Sequence, residues 1–189
     1  MHGGTRRSVS KGMLGLVLLM SIPALGFLIS CGEEEKAELV PSSYEDWRTT
    51  TEEELDYPIP GHMNNYREIY INSAGLDYTV EEREGRTHYF FPTGTVIIKE
   101  IYDGFDPSEG EPPVQLTVMV KKPEDPRSRG GWLWVMENVE TGEEQVIDGE
   151  FCITCHSNAN ERHPYGDGNP DEEFRDFIFF LPTRKNARE

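Results

Sequence analysis

The sequence predicts an α+β fold: mainly antiparallel β-sheet, open or curled into a partial barrel, with a few short helices, the last of them near the carboxyl end. Three observations carry this. Strand-like runs rich in β-branched and aromatic residues occupy Gly94–Tyr102, Val114–Lys121 and Trp132–Val139. They follow one another with short connections rich in Pro, Gly and Asp, which argues for antiparallel neighbours. Without residues 1–31, the 189-residue chain keeps 158, enough for one domain with a proper core and too few for two ordinary ones. No internal repeat is visible.

Taken in order, the amino end comes first. Arg6, Arg7 and Lys11 precede an uncharged run, Gly12–Ser30, dominated by Leu, Val, Ile and Met. This is the layout of a secretory signal. It closes on Leu28-Ile29-Ser30-Cys31, which resembles the bacterial lipoprotein cleavage box, with Cys31 as the lipid-bearing first residue of the mature chain. An uncleaved anchor is the alternative, since the run is close to the ~20 residues that span a bilayer; Pro23 and Gly26 favour cleavage. Either way the basic flank stays in the cytoplasm and the remainder faces the periplasm or the cell exterior; in the cleaved reading lipid on Cys31 holds it at the membrane. Residues 32–40, opening with Gly32-Glu33-Glu34-Glu35-Lys36, form an acidic flexible tether. The folded domain then occupies 41–189.

Within it, Ser42-Ser43-Tyr44-Glu45-Asp46-Trp47 has the look of a cap and first helical turn, with Tyr44 and Trp47 spaced for one face. Tyr66–Asn72 reads as a strand and Ala74–Arg83 as a short helical or irregular stretch. The three strands named above follow, the last two separated by the turn region Pro123–Gly131. A short helix starts at Phe151 or Cys152. A turn-rich tail, His163–Pro170, leads to a last helical turn or strand over Asp171–Phe179.

That final helix carries Cys152-Ile153-Thr154-Cys155-His156. Two thiols three apart followed by an imidazole form the attachment site of a c-type haem: each cysteine adds to a vinyl group as a thioether, and the adjacent histidine ligates the iron from below. A dithiol switch and a zinc site are the alternatives. Zinc needs two further ligands, with His163 the only other imidazole nearby, and a thioredoxin-like switch expects a βαβ setting near the chain start. The chain has three cysteines, so one for lipid and two for haem leave none for a disulfide. The buried macrocycle then serves an exported domain as its staple.

Charge narrows the partners. The formal charge is −17, and residues 1–31 hold Arg6, Arg7 and Lys11 but no acid, so the mature chain stands at −20. Nucleic-acid binding is disfavoured, and a basic redox partner, such as a basic cytochrome, is favoured.

Period-two alternation through Thr95–Tyr102 sets Ile97, Lys99 and Ile101 on one face and Val96, Ile98, Glu100 and Tyr102 on the other. Lys99 thus sits in an apolar row, which also fits a lysine snorkelling to solvent at a sheet edge.

With Trp47, the string Phe91-Pro92-Thr93-Gly94-Thr95-Val96-Ile97-Ile98-Lys99-Glu100, the Val120-Lys121 strand end, the Gly131-Trp132 strand start and the late haem motif with Asn158-Ala159 after it, the mature chain resembles the cytochrome P-460 family, which includes the cytochromes c prime beta. The resemblance implies a mainly antiparallel fold with one covalent haem c packed on the sheet, histidine below the iron and an open or water-bound position above. In the hydroxylamine-oxidising members the lysine matching Lys99 is bonded to a haem meso carbon. The position matching their distal carboxylate is Thr117, a hydroxyl that cannot serve as a base near neutral pH. Alternation groups it with Gln115 and Met119.

Three functions follow as expectations: an oxidoreductase acting on hydroxylamine or nitric oxide; a module that binds nitric oxide or carbon monoxide without turnover, with Tyr89, Phe90, Phe91 and Phe105 as an aromatic ceiling; or a six-coordinate electron carrier with Met63, Met119, Met136 or His163 as second ligand. Asp167, Asn169, Asp171 and Glu172 read as a solvated turn rather than a calcium loop. Arg162 is a candidate partner for the haem propionates, and a homodimer is open.

Overall fold

A computed structural model describes residues 39–50, 55–59, 65–147 and 149–182. The signal, Cys31, most of the tether and Met63 lie outside the described residues. Six strands form one open, fully antiparallel sheet: β1 (Arg48–Thr49), β2 (Arg67–Ile71), β5 (Val96–Ile101), β6 (Gln115–Lys121), β7 (Trp132–Asn138) and β8 (Glu143–Val146), in the order β1-β2-β5-β6-β7-β8. The sheet does not close into a barrel. Among the described residues, a separate hairpin, β3 (Thr79–Arg83) with β4 (Arg86–Phe90), and two α-helices, α1 (Ser73–Leu76) and α2 (Glu150–His156), accompany the sheet. A 3-10 turn, Ser157–Asn160, continues α2.

Both faces of the sheet are covered, so its central strands read as nearly continuous apolar runs. One face buries Val96, Ile98, Leu116, Val118, Leu133 and Val135 under Val40 and Tyr44. The other carries Ile71, Ile97, Met119, Trp132 and Trp134, covered by Tyr78, Phe91, Ile178 and the apolar side of α2. Two acids stand opposite each other on the first face, Glu68 beside Glu100, an arrangement that would repel. Tyrosine hydroxyls compensate: Tyr44 and Tyr102 donate to Glu100 at 2.9 and 2.7 Å, while Tyr66 and Tyr70 donate to Glu68 at 3.1 and 2.5 Å. The carboxylates in turn push the Tyr44 and Tyr70 phenols above their ordinary range, after burial, which contributes most.

Several elements differ from the sequence reading. The segment around Tyr44 and Trp47 is a pair of turns rather than a helix. The Trp47 N–H closes onto the Tyr44 carbonyl at 2.8 Å, and Tyr44 is drawn into the core by Glu100 and by an edge-on contact with Tyr70. The stretch expected as short helix or irregular chain holds α1 and then strand β3. The β3–β4 hairpin turns through Glu84 and Gly85, both at positive φ (53° and 76°), the two-residue turn whose twist suits a hairpin. Residues 171–179 form neither helix nor strand. Side chains organise them: Asn169, fully buried, donates to the carbonyls of Ala159 and Glu173 and accepts from the Glu173 N–H, and Asn160 accepts from the N–H groups of Arg175 and Phe177.

Candidate haem site

At ~100° per residue, Cys152, Cys155 and His156 share an arc of about 100° on α2. Cys152 and Ile153 pack on the tryptophan-bearing face of the sheet, and the His156 ring meets Trp134 edge-on at 4.9 Å and Phe179 at 5.3 Å. Gly149 permits this approach, because a Cβ there would collide with the Trp134 ring. The His156 Nδ1 lies 2.9 Å from the Phe177 carbonyl oxygen. A carbonyl only accepts, so Nδ1 carries the proton and Nε2 keeps the lone pair a metal needs. Burial, with Lys99 adding to it, lowers the His156 pKa to about 4 against the opposing hydrogen bond, so the imidazole is neutral at pH 7.

Lys99 lies on this same face. Strand register places it between Ile69 of β2 and Thr117 of β6, and Thr117 is followed by Met136 and Gln145, forming one row across the sheet. The lysine is in the middle of the sheet, not at an edge. Its pKa is brought down to about 7, chiefly by burial and then by the nearby Arg67 guanidinium, while Cys152 acts in the opposite direction. Lys99 is therefore electrostatically coupled to both ends of the attachment motif, Cys152 and His156. The next row holds Arg67, Ile101, Gln115 and Asn138. Arg67 is 2% exposed and donates to the Tyr57 carbonyl at 2.7 Å. A 170 Å³ cavity opens over the β6–β8 end of these rows, lined by Gln115, Met136, Asn138 and Gln145 among others.

Of the other expected site residues, Met119 is packed in the core and Met136 lies one strand from Thr117. His163 rests against the same Phe179 ring as His156, at 4.9 Å, and so lies in the neighbourhood of His156. Of the aromatic ceiling, Tyr89 and Phe91 pack on the site face, whereas Phe90 stacks on His88 and lies under Arg83. Phe105 is 42% exposed and lines a cavity with Tyr66, Glu68 and Tyr102, beside the acid and tyrosine network of the opposite face. Arg162 is exposed and donates to the Pro170 carbonyl. Asp167 pairs with Arg175 at 2.7 Å.

The donor set fits a haem: two thiols and a neutral imidazole of fixed tautomer share one arc of α2, with Cys152 and the imidazole against the tryptophans of the sheet. That combination defines a haem protein. The sequence pattern of the cytochrome P460 family matches residues 41–180, and the chain belongs to that family. No curated protein matches the chain. Sequence reasoning missed Arg67, Trp134, Gly149 and the Phe177 carbonyl as parts of the site; only the Gly before a haem helix and the paired tryptophans left a trace in the sequence.

Proposed function

We propose that this is an exported, lipid-anchored protein with one haem c, attached through Cys152 and Cys155 and ligated by His156, that takes small nitrogen ligands such as nitric oxide or hydroxylamine at an open distal position. The packing of the Cys152–His156 helix on the sheet face that carries Lys99, with the His156 Nδ1 held at the Phe177 carbonyl, is the observation that carries the reading. Bound haem supplies a redox-active, ligand-accepting iron. The chain supplies the rest. His156 offers Nε2 while Phe177 fixes its ring, and Trp134 and Phe179 exclude water around it. Lys99, near pH 7 in both charge states, offers in part a neutral amine with its lone pair available; the linkage that the family resemblance implies for this position would replace a ring C–H, release protons and need a two-electron oxidant from outside the chain.

Ligand capture is favoured over oxidation by Thr117, the strand neighbour of Lys99, which brings a hydroxyl where a proton-abstracting carboxylate is needed. In the capture reading Lys99, Arg67 and Thr117 orient a polar diatomic or hydroxylamine by hydrogen bonding. Cys31 as the lipid site, a basic redox partner and a homodimer belong to the same proposal, and nucleic acid is not among the expected partners.

Two experiments test it. Protein matured in a haem-attaching host should gain the mass of one haem, with the proteolytic haem peptide spanning Cys152–His156; a linked second peptide containing Lys99 reports the cross-link. Nitric oxide should shift the absorption spectrum of the resting high-spin form. A low-spin resting spectrum indifferent to nitric oxide would make the protein an electron carrier, and steady hydroxylamine consumption with an electron acceptor would make it an oxidase.

A further inference from the structure

The carbonyl that fixes His156 belongs to an unusual turn. Arg175–Ile178 is closed by a hydrogen bond from the Ile178 N–H to the Arg175 carbonyl at 3.0 Å, and both central residues, Asp176 and Phe177, are left-handed (φ 50° and 71°). Neither is glycine. Side chains with a Cβ avoid this region, and the shape survives only where its surroundings impose it. Two anchors do so. From the α2 side, the Asn160 side-chain oxygen accepts from the N–H groups of Arg175 (2.8 Å) and Phe177 (3.2 Å). From the sheet side, the buried Asp176 carboxylate takes both of its oxygens to Lys121 Nζ (2.7 and 2.8 Å) and also accepts from the Phe91 N–H (3.2 Å) and Trp132 Nε1 (3.3 Å). Trp132 Nε1 donates to the Asp176 carbonyl as well, at 3.0 Å. Lys121 itself is held over the Trp132 ring at 4.8 Å.

We propose that the Lys121–Asp176 pair is a positioning device for the proximal histidine: it locks the left-handed turn that aims the Phe177 carbonyl at His156 Nδ1. The proposal rests on His156 being the iron ligand. A well-aimed acceptor draws the Nδ1 proton and makes the imidazole a stronger donor to ferric iron, which strengthens the iron–histidine bond and lowers the reduction potential. Slackening the turn weakens that aim without touching the ligand or the thioethers. Lys121 and Asp176 touch neither the reacting atoms nor a substrate, so they act through the Phe177 carbonyl.

The test is Asp176→Asn in the full-length holoprotein. Asparagine tolerates the left-handed region and keeps one side-chain acceptor, which can serve the Phe91 N–H while Trp132 Nε1 still donates to the residue-176 carbonyl, but it loses the ionic hold on Lys121. Haem mass and the visible spectrum verify attachment in the parent first; a parent without haem defeats the function proposed above, and this inference with it. In the loaded variant, the iron–histidine stretching band of the ferrous form should fall. The midpoint potential should rise by up to a tenfold change in the oxidised-to-reduced ratio, about 59 mV for one electron. Lys121→Gln should behave in the same way, and serves if Asp176→Asn does not fold. Lys121→Arg, which retains the charge, should stay near the parent. If the folded, haem-loaded Asn or Gln variant loses thermal stability while band and potential stay at parental values, the pair is structural only and the inference fails.

Discussion

Two lysines project from the same face of the sheet, Lys121 at the end of β6 and Lys99 in the middle of β5, and their surroundings are opposites. Lys121 meets both oxygens of a buried carboxylate, 2.7 Å at the nearer. Lys99 has a threonine and an isoleucine as its strand neighbours and a guanidinium close enough to disfavour its charge. The edge of this face thus holds a buried ion pair, and its middle carries an amine whose burial favours the neutral form. The difference separates a lysine that is held charged by a buried acid from one whose burial favours the neutral amine.

The comparison can be broken most forcefully at Asp176. Asp176→Ala leaves Lys121 in apolar surroundings without its partner and should cost about 3–5 kcal/mol, read as a lowered urea midpoint. Next comes Lys99→Met, measured in a haem-free chain made by replacing Cys152 and Cys155 with serine. The folded Lys99 pKa is about 7 against 10.5 when unfolded, so between these values the unfolded chain holds more protons and stability rises with pH. At 1.36 kcal/mol per unit the ceiling is about 5 kcal/mol, and water at this partly open side chain should reduce the rise to about half. Lys99→Met should flatten that limb. A second limb, with stability falling as pH drops from 6.5 to about 4, belongs to His156, whose neutral form is favoured by the fold. It should persist in Lys99→Met but narrow, since the lysine's charge is one of its causes.

Thr117→Asp sharpens the contrast by making the Lys99 end resemble the Lys121 end. A carboxylate on the adjacent strand should raise the Lys99 pKa by about 1–3 units, moving the foot of its stability limb above pH 8. An unmoved limb would mean that Lys99 points away from Thr117. The smallest effect is expected far from both lysines: Glu84→Gly relieves a left-handed residue at the β3–β4 turn and should stabilise by at most about 1 kcal/mol, leaving both pH limbs in place.

The attachment motif was legible because its chemistry is local: five consecutive residues specify the thiols and the imidazole. The strands β5, β6 and β7 were legible because buried β-branched runs leave a period in the sequence. Edge strand β8, Glu143–Val146, left no such mark, since its residues are polar or half-buried and pair on one side only. Hairpin β3–β4 was hidden for a related reason: β3 is exposed at every position and β4 half-buried at every position, so neither strand alternates. The proximal support was beyond sequence reading for a different reason. It depends on a backbone carbonyl, on two left-handed residues and on asparagine side chains reaching across the chain, and none of these has a composition signal. Likewise, Arg67 joins Lys99 only through the pairing of β2 with β5, 32 positions apart in the chain.

The carboxylate of Glu144 accepts from the backbone N–H groups of Leu39 and Val40 at 2.9 and 2.8 Å, fastening the start of the described chain to the outermost strand. If the protein hangs from a lipid at Cys31, this clasp is where a tug from the bilayer enters the domain. The load reaches β8 first, at the margin of the sheet and three strands from Lys99, so thermal jostling of the anchor would peel a peripheral strand before it disturbed the lysine's setting.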